Sequence, residues 1–383
     1  MLHSINLLEE LTERSKDLNK LSVEKALVLF EVERFFIGDT CDRMAYLKVC
    51  SAVFPNAKVD LFTNQPGIAH LMKNNIYVNY LIISEAYSQI NFPQYDIVIC
   101  LSHKESDILS HLNGVYEKQG DSHLPKVYSI PDLNDKNHGI KIIFPPLPIT
   151  TEEVTADRME IFISKTEARW ANQWLRNAGV GKEDSVVIFL DSAGDRSKLM
   201  STSEQFELIK QILKYQEDKI LIYDENGMNK KLFYISWLGA KIVADRFIFA
   251  EKSALRESIC LMAADAIRMI IGPCTGLMHC ASAVYQHMLS ANTRKENEVP
   301  VLLTYRGKVQ DPIDSPYRWW GNSLCDCALI VASEENGKRI RELSEQDREM
   351  SNALNGLLPA QEITGMLLYS HIQKQYKNKL KQQ

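Results

Sequence analysis

The chain has 383 residues, of which 45% are hydrophobic and 24% charged, and its formal net charge is −5 at pH 7. This composition is typical of a folded globular protein, and the small negative charge argues against nucleic acid as the main partner. At about 150 residues per domain, the length predicts two domains. No apolar run approaches the roughly 18 residues that cross a bilayer, and the first residues do not resemble a secretion signal, so we expect a cytoplasmic protein.

The eight cysteines are consistent with the expected cytoplasmic setting. Six of them are scattered through apolar or helical contexts, where a free thiol behaves as a small hydrophobic side chain. Cys325 and Cys327 are separated by one residue, which is the spacing of neither a zinc knuckle nor a redox-active pair. We therefore predict no metal site.

Strands and helices alternate along the first 150 residues. An amphipathic helix is predicted within residues 1–22, and residues 102–150 are less regular. Strands separated by helices indicate βαβ units and a parallel sheet. The predicted strands cover residues 26–30, 57–63, 77–83, 95–101 and 139–144, and the predicted helices cover 41–53 and 67–73.

The alternation resumes after a helix that Gly179 ends. Ser203 is predicted to cap an amphipathic helix, and residues 334–356 and 359–383 are predicted to be helical. The predicted strands of this half cover residues 185–190, 219–223, 241–244 and 266–271, with a helix over 253–264. We predict an α/β protein with domains at 1–160 and 161–358, and a C-terminal helix at 359–383 with a basic end.

Residues 270–283, which read IIGPCTGLMHCASA, join a buried strand to a helix through a tight turn. Such a turn presents backbone N–H groups and the positive end of a helix dipole, which together suit a phosphate. His279 falls on the first helical turn. The alternative is an ordinary βα connection in which Thr275 caps the helix.

Polar loops follow two other predicted strands. Asp39 lies at the carboxyl end of the first strand, where ligands bind in open α/β sheets, and is interpreted as a helix N-cap or as a catalytic group. The loop 191–198 could hold a diphosphate through Arg196 or Lys198, or it is a solvated surface loop.

Three segments, taken in order, resemble glycosyltransferase family 9. Residues 34–39 (RFFIGD) with 54–60 (FPNAKVD) are similar to the family's opening, and 192–206 are similar to its lysine-bearing loop. Residues 275–283 (TGLMHCASA) resemble the family's Asp-Thr-Gly-x-x-His-x-Ala-Ala signature. The resemblance spans about residues 26–310 and implies the GT-B fold, with two Rossmann-like domains and their parallel sheets facing across a cleft.

The resemblance also implies roles for individual residues. Asp39 would be the general base of an inverting sugar transfer, and Lys198 would stabilise charge on the leaving nucleoside diphosphate. Ser192 and Arg196 would add donor contacts, and Glu225 or Asp224 would contact the nucleoside or sugar. The donor diphosphate would be held by Thr275, Gly276, Leu277, Met278 and His279. Neither a metal nor a cofactor is implied; the donor is a nucleotide sugar, ADP-linked heptose in the family's best-known members.

Several residues depart from the family pattern. Cys274 stands where the signature has Asp, and a polar stretch at 285–298 precedes the next strand. The departures keep two alternatives open: a nucleotide-sugar epimerase of the same fold, and a diverged or non-catalytic relative that binds a nucleotide sugar or nothing. After that strand, residues 305–308 (YRGK) could add a cation to the cleft.

The expected partners are the nucleotide-sugar donor and a glycan or glycolipid acceptor of lipopolysaccharide type. The aromatic cluster at 316–321 (PYRWWG) either stacks on a sugar or packs under a loop. The basic C-terminal end is either solvated or contacts an anionic surface such as the inner membrane. Its lysines are Lys374, Lys377, Lys379 and Lys381.

Overall fold

The computed structural model describes residues 2–32, 34–101, 104–119, 124–130, 142–149, 159–215, 218–308, 320, 324–333, 337–343 and 356–381. The chain forms two compact units. The first comprises Met1–Phe36 and Arg43–Met159, and the second comprises Ile37–Asp42 and Glu160–Gln383. The short segment that carries Asp39 therefore groups with the second unit.

The first unit is built on a five-stranded parallel sheet in the order β3-β2-β1-β4-β5. Residues 26–30 of the central strand are fully buried, as expected for a parallel strand covered on both faces. The strands are β1 Lys25–Phe30, β2 Lys58–Thr63, β3 Tyr80–Ile83, β4 Ile97–Cys100 and β5 Lys126–Ser129. The helices are α1 Leu2–Lys16, α3 Ile68–Met72, α4 Glu105–Gln119 and the greater part of α2 Ile37–Val53, whose first six residues belong to the second unit.

The second unit is built on a seven-stranded sheet in the order β12-β11-β10-β9-β6-β7-β8, parallel except for β12. Its strands are β6 Val186–Phe189, β7 Lys219–Asp224, β8 Phe247–Glu251, β9 Ile267–Pro273, β10 Val301–Arg306, β11 Asp326–Ala332 and β12 Lys338–Glu342. Its helices are α5 Lys165–Asn177, α6 Thr202–Tyr215, α7 Lys230–Leu238, α8 Ala240–Arg246, α9 Leu255–Met262, α10 Gly276–Ser290 and α11 Gly365–Lys381.

The strand order of the second sheet defines a topological switch point. From β6 the chain moves outward through β7 to β8, and then returns to β9 on the other side of β6. Loops that leave β6 and β9 at their carboxyl ends diverge there, which opens the crevice in which α/β sheets bind ligands. Both units are Rossmann-like, and the predicted α/β class is confirmed.

Several predicted elements are wrong. Residues 241–244 lie in helix α8 and not in a strand, because Gly239, at φ +87°, ends α7 and a second short helix follows directly. Residues 338–342, predicted helical, form a strand antiparallel to β11. Residues 142–144 are not a strand, and 139–141 lie outside the described residues; the last strand of the first sheet is β5. Ser203 lies inside α6, and the Oγ of Ser201 accepts the Glu204 N–H at 3.4 Å.

A buried ion pair joins α5 to α9 in the second unit. The Arg256 guanidinium donates from Nε and Nη2 to the two carboxylate oxygens of Glu167, at 2.9 Å each. Replacing Glu167 by alanine leaves a buried charge without this partner, so we expect the free energy of unfolding to fall by about 3–5 kcal/mol. Denaturant unfolding measures the loss, and the exposed Arg169→Ala on the same helix, expected to cost under about 1 kcal/mol, is the control. A loss under about 1 kcal/mol for Glu167→Ala would contradict the expectation.

Candidate active site at the start of helices α2 and α10

The N-termini of two helices meet in the second unit. A Cβ placed on Gly276, the first residue of α10, would lie 2.6 Å from Cβ of Ile37 and 3.1 Å from the backbone nitrogen of Gly38. A Cβ on Gly38 would lie 3.1 Å from Cδ2 of His279. Only glycine permits this approach of two backbones. Two positive helix-dipole ends therefore lie side by side, which is a favourable environment for an anion.

Two backbone N–H groups at this end of helix α10 have no partner within the helix. The N–H groups of Met278 and His279 donate to the Thr275 carbonyl, at 3.0 and 3.3 Å. Those of Gly276 and Leu277 precede the first intrahelical bond and have no partner within the helix. Thr275 occupies the N-cap position, but its side chain makes no capping hydrogen bond. The alternative in which the Thr275 hydroxyl caps the helix is therefore wrong.

Asp39 lies in the first turn of α2. The helix begins at Ile37 with Phe36 at the N-cap, so the interpretation of Asp39 as the N-cap is wrong. Its side chain is exposed, and it directly follows Gly38, which touches His279 and Gly276. The first turn of α2 thus places an exposed carboxylate next to the two helix N-termini.

The half-buried His279 forms a cluster with three buried side chains, those of Cys274, Arg306 and Trp320. The indole of Trp320 stacks on the imidazole of His279, with ring centroids 4.1 Å apart and an interplanar angle of 18°. Its Nε1 donates to Sγ of Cys274 at 3.3 Å, and Nη1 of Arg306 donates to the same sulfur at 3.5 Å. Trp320 and Arg306 are 3% and 2% exposed. The sequence analysis offered residues 305–308 as a cation for the cleft, but Arg306 is buried against Cys274. The cluster itself was not predicted, because its members are far apart in the chain.

Two thiols lie just after this site, Cys41 on α2 and Cys280 on α10. The sulfurs of Cys41 and Cys280 are 3.9 Å apart, and both side chains are buried. The hydrogen bond with Cys280, together with burial, raises the pKa of the Cys41 thiol well above its usual value. This thiol is therefore protonated at neutral pH and supplies no nucleophile, in agreement with its interpretation as a small hydrophobic residue.

The loop after β6 emerges beside the end of β9, since the Leu190 N–H donates to the Ile271 carbonyl at 2.8 Å. Within it, Arg196–Lys198 form a single helical turn capped by Asp195, which accepts the Ser197 N–H at 2.8 Å. Arg196 and Ser192 are exposed, and Lys198 is half-buried. This loop and the turn at Thr275 thus flank the switch point between β6 and β9.

The loop after β7 is organised by a buried carboxylate. Asp224 accepts the backbone N–H groups of Met228 and Lys230, at 2.8 and 3.0 Å. Asp224 therefore shapes the loop, whereas Glu225 beside it is half-buried, with Oε2 3.9 Å from Nζ of Lys230. Lys230, to which the sequence analysis gave no role, also pairs with Asp191 at 2.7 Å.

The structure thus brings most of the predicted residues to one edge of one sheet. Ser192, Arg196 and Lys198 follow β6, Glu225 follows β7, and the run from Thr275 to His279 follows β9. Met278 is the exception in orientation, since its side chain is fully buried in the core and only its backbone is available. The described residues contain no group of three or more His, Cys, Asp or Glu arranged to hold a metal ion. None of the described helices is long and apolar enough to span a bilayer.

The fold is shared with known glycosyltransferases. The structure matches ADP-heptose lipopolysaccharide heptosyltransferase II of E. coli with a TM-score of 0.60 and 14% identity, over 91% of this chain and 98% of that one. It matches a family 9 glycosyltransferase of Veillonella parvula with a TM-score of 0.58 and 13% identity, over 96% and 99% of the two chains. No protein-family model matches the sequence, and no curated protein matches it. The chain therefore has the two-domain GT-B fold of family 9, and the resemblance is confirmed at the level of the fold.

Proposed function

We propose that this protein is an inverting glycosyltransferase that moves a sugar from a nucleoside-diphosphate donor to a glycan or glycolipid acceptor. The meeting of two helix N-termini at Gly38 and Gly276, with Asp39 on the adjoining position, carries the proposal. It provides a phosphate-binding element and a carboxylate at one place. The shared fold with family 9 enzymes supports the assignment of class.

The donor diphosphate would lie against the first turn of α10. The N–H groups of Gly276 and Leu277 would donate to phosphate oxygens, and the His279 side chain and Thr275 hydroxyl would add further donors. Lys198, from the loop after β6, would offset the charge that develops on the departing diphosphate. Ser192 and Arg196 would contact the same group, and Glu225 the nucleoside or sugar.

Asp39 would act as the general base. The acceptor hydroxyl attacks the anomeric carbon as the bond from that carbon to the diphosphate oxygen breaks, and the hydroxyl proton passes to the Asp39 carboxylate. The nucleoside diphosphate leaves with the bonding electron pair. Attack from the face opposite the leaving group inverts the anomeric configuration. No residue in this scheme requires a metal, because backbone dipoles and Lys198 balance the phosphate charge.

We propose ADP as the nucleotide and heptose as the sugar, because the E. coli enzyme of the same fold is named for ADP-heptose. We propose an acceptor of lipopolysaccharide type on the same ground. Contact of the basic C-terminal end with an anionic membrane stays a prediction. Of its lysines, Lys374 lies 3.6 Å from Glu342 and Lys377 is exposed. Sedimentation with anionic and neutral vesicles measures that contact, and equal binding to both would contradict it.

Nucleotide binding tests the proposal. A thermal-shift screen of ADP, UDP, GDP and CMP is expected to show stabilisation by one diphosphate, ADP, because binding to the folded state raises the unfolding temperature. His279→Ala should reduce that shift, and His111→Ala in the first unit should not. Stabilisation by none of the nucleotides would contradict the proposal and favour a non-binding relative. Turnover of a bound nucleotide sugar without an acceptor would instead identify an epimerase.

A further inference from the structure

The imidazole of His279 is held on two sides. Its ring face stacks on the indole of Trp320 at a centroid distance of 4.1 Å. Its edge lies against Gly38, where a Cβ would stand 3.1 Å from Cδ2 and 3.4 Å from Nε2. A histidine with these two neighbours is restricted in both side-chain torsions. The orientation of its ring nitrogens at the start of α10 is therefore set by the surroundings.

The position of Trp320 is fixed in turn by Cys274. A buried indole N–H requires an acceptor, and here the acceptor is the Cys274 sulfur at 3.3 Å. The same sulfur receives Nη1 of Arg306 at 3.5 Å. Cys274 is buried and directly precedes the N-cap Thr275. The indole is therefore hydrogen-bonded to a residue of the turn that would bind the phosphate.

We propose that Trp320 is a positioning residue that holds the His279 imidazole in its phosphate-binding orientation, and that Cys274 anchors Trp320. This inference rests on the proposed function for its ligand, a nucleoside diphosphate. It gives the unusual Cys274 a role, because its sulfur accepts hydrogen bonds from Trp320 and Arg306. Trp320 belongs to the aromatic cluster at 316–321, for which the sequence analysis offered sugar stacking. We assign it instead to His279, because the indole stacks on that imidazole.

Two substitutions separate the stack from the hydrogen bond. Trp320→Leu removes both the stack and the hydrogen bond. It is expected to weaken ADP binding about tenfold, which is near the largest contribution that one aromatic pair makes to binding. Trp320→Phe keeps a stacking ring and should weaken it about twofold to threefold. In a His279→Ala background, Trp320→Leu should add little, because its effect passes through the imidazole. Calorimetric titration with ADP measures the affinity of the wild type, of the three single variants Trp320→Leu, Trp320→Phe and His279→Ala, and of the double variant. The control is Trp237→Leu, which removes an indole stacked on Phe206 in the same unit and should leave ADP binding unchanged.

A second measurement needs no nucleotide. The ring protons of His279 should show an upfield ring-current shift in the NMR spectrum of the free protein. The shift should be retained in Trp320→Phe and lost in Trp320→Leu, and the absence of the signal from His279→Ala assigns it to His279. Cys274→Ala should reduce that shift while leaving the fold intact. An unshifted His279 signal in the wild-type protein would overturn the inference, as would wild-type ADP affinity in Trp320→Leu. A normal ring-current pattern in a protein that binds no nucleotide would instead refute the proposed function and leave the geometry standing.

Discussion

Replacing Asp39 by asparagine is expected to lower kcat for sugar transfer by about 10²–10⁴-fold, the usual contribution of a general base. The amide has nearly the shape of the carboxylate but cannot accept the acceptor's proton. ADP affinity should change by less than about threefold, because Asp39 is not among the proposed phosphate donors. Steady-state transfer to a glycan acceptor gives kcat, and calorimetry gives the affinity for ADP.

Asp42→Asn is the matched control for that substitution. Asp42 is a second carboxylate on α2, one turn further along, and shares the effect of the same helix dipole. We expect it to retain kcat within about threefold. An Asp39→Asn protein with wild-type kcat would remove Asp39 from the mechanism. Equal losses in both variants would point to the charge of the helix end and not to proton transfer.

Replacing Gly276 by alanine is expected to abolish measurable ADP binding and to lower the free energy of unfolding by about 1–3 kcal/mol, the usual cost of overpacking. The new Cβ would lie 2.6 Å from Cβ of Ile37 and 3.1 Å from the nitrogen of Gly38, so the starts of α2 and α10 must separate. Separation moves the N–H donors apart and opens the site to water. Calorimetry with ADP and urea unfolding measure the two effects.

Gly114→Ala is the control for that experiment. Gly114 lies inside helix α4, and a Cβ there would meet nothing within 4 Å. Alanine at such a helical position should stabilise the protein by about 0.5–1 kcal/mol and leave ADP binding unchanged. A Gly276→Ala protein that binds ADP as tightly as the Gly114→Ala protein would show that the close approach of the two helices has no part in the site.

The alternation of apolar strands and amphipathic helices was sufficient to predict βαβ units and parallel sheets, and the resemblance to family 9 added the expectation of two Rossmann-like units. The errors have local causes. Residues 242–244 (IVA) are a short apolar run, and such runs do not distinguish a strand from a helix without the tertiary setting. Four of the five residues of β12 are charged, and all five are exposed or half-exposed, since β12 is the edge strand of the sheet that the described residues form and pairs there with β11. Edge strands carry little of the apolar pattern by which strands are predicted.

The candidate site likewise contains residues that the local sequence predicts and residues that only the fold brings together. The run from Thr275 to His279 was predictable, since its turn and helix start are local features of the sequence. The close approach of Gly38 and Gly276 was not predictable, because these positions are more than 200 residues apart and a glycine has no side chain from which a contact could be inferred. Trp320 was singled out only as an aromatic, since the partners that define its role, His279 and Cys274, are brought to it by the fold.

A crystal structure of the protein with ADP tests the central claim most directly. The account predicts the β-phosphate at the start of α10, with its oxygens about 2.7–3.2 Å from the backbone nitrogens of Gly276 and Leu277 and within reach of the His279 imidazole. It also predicts an open position beside the phosphate that faces the Asp39 carboxylate. ADP bound away from the switch point between β6 and β9, or with its phosphates remote from the first turn of α10, would contradict the account.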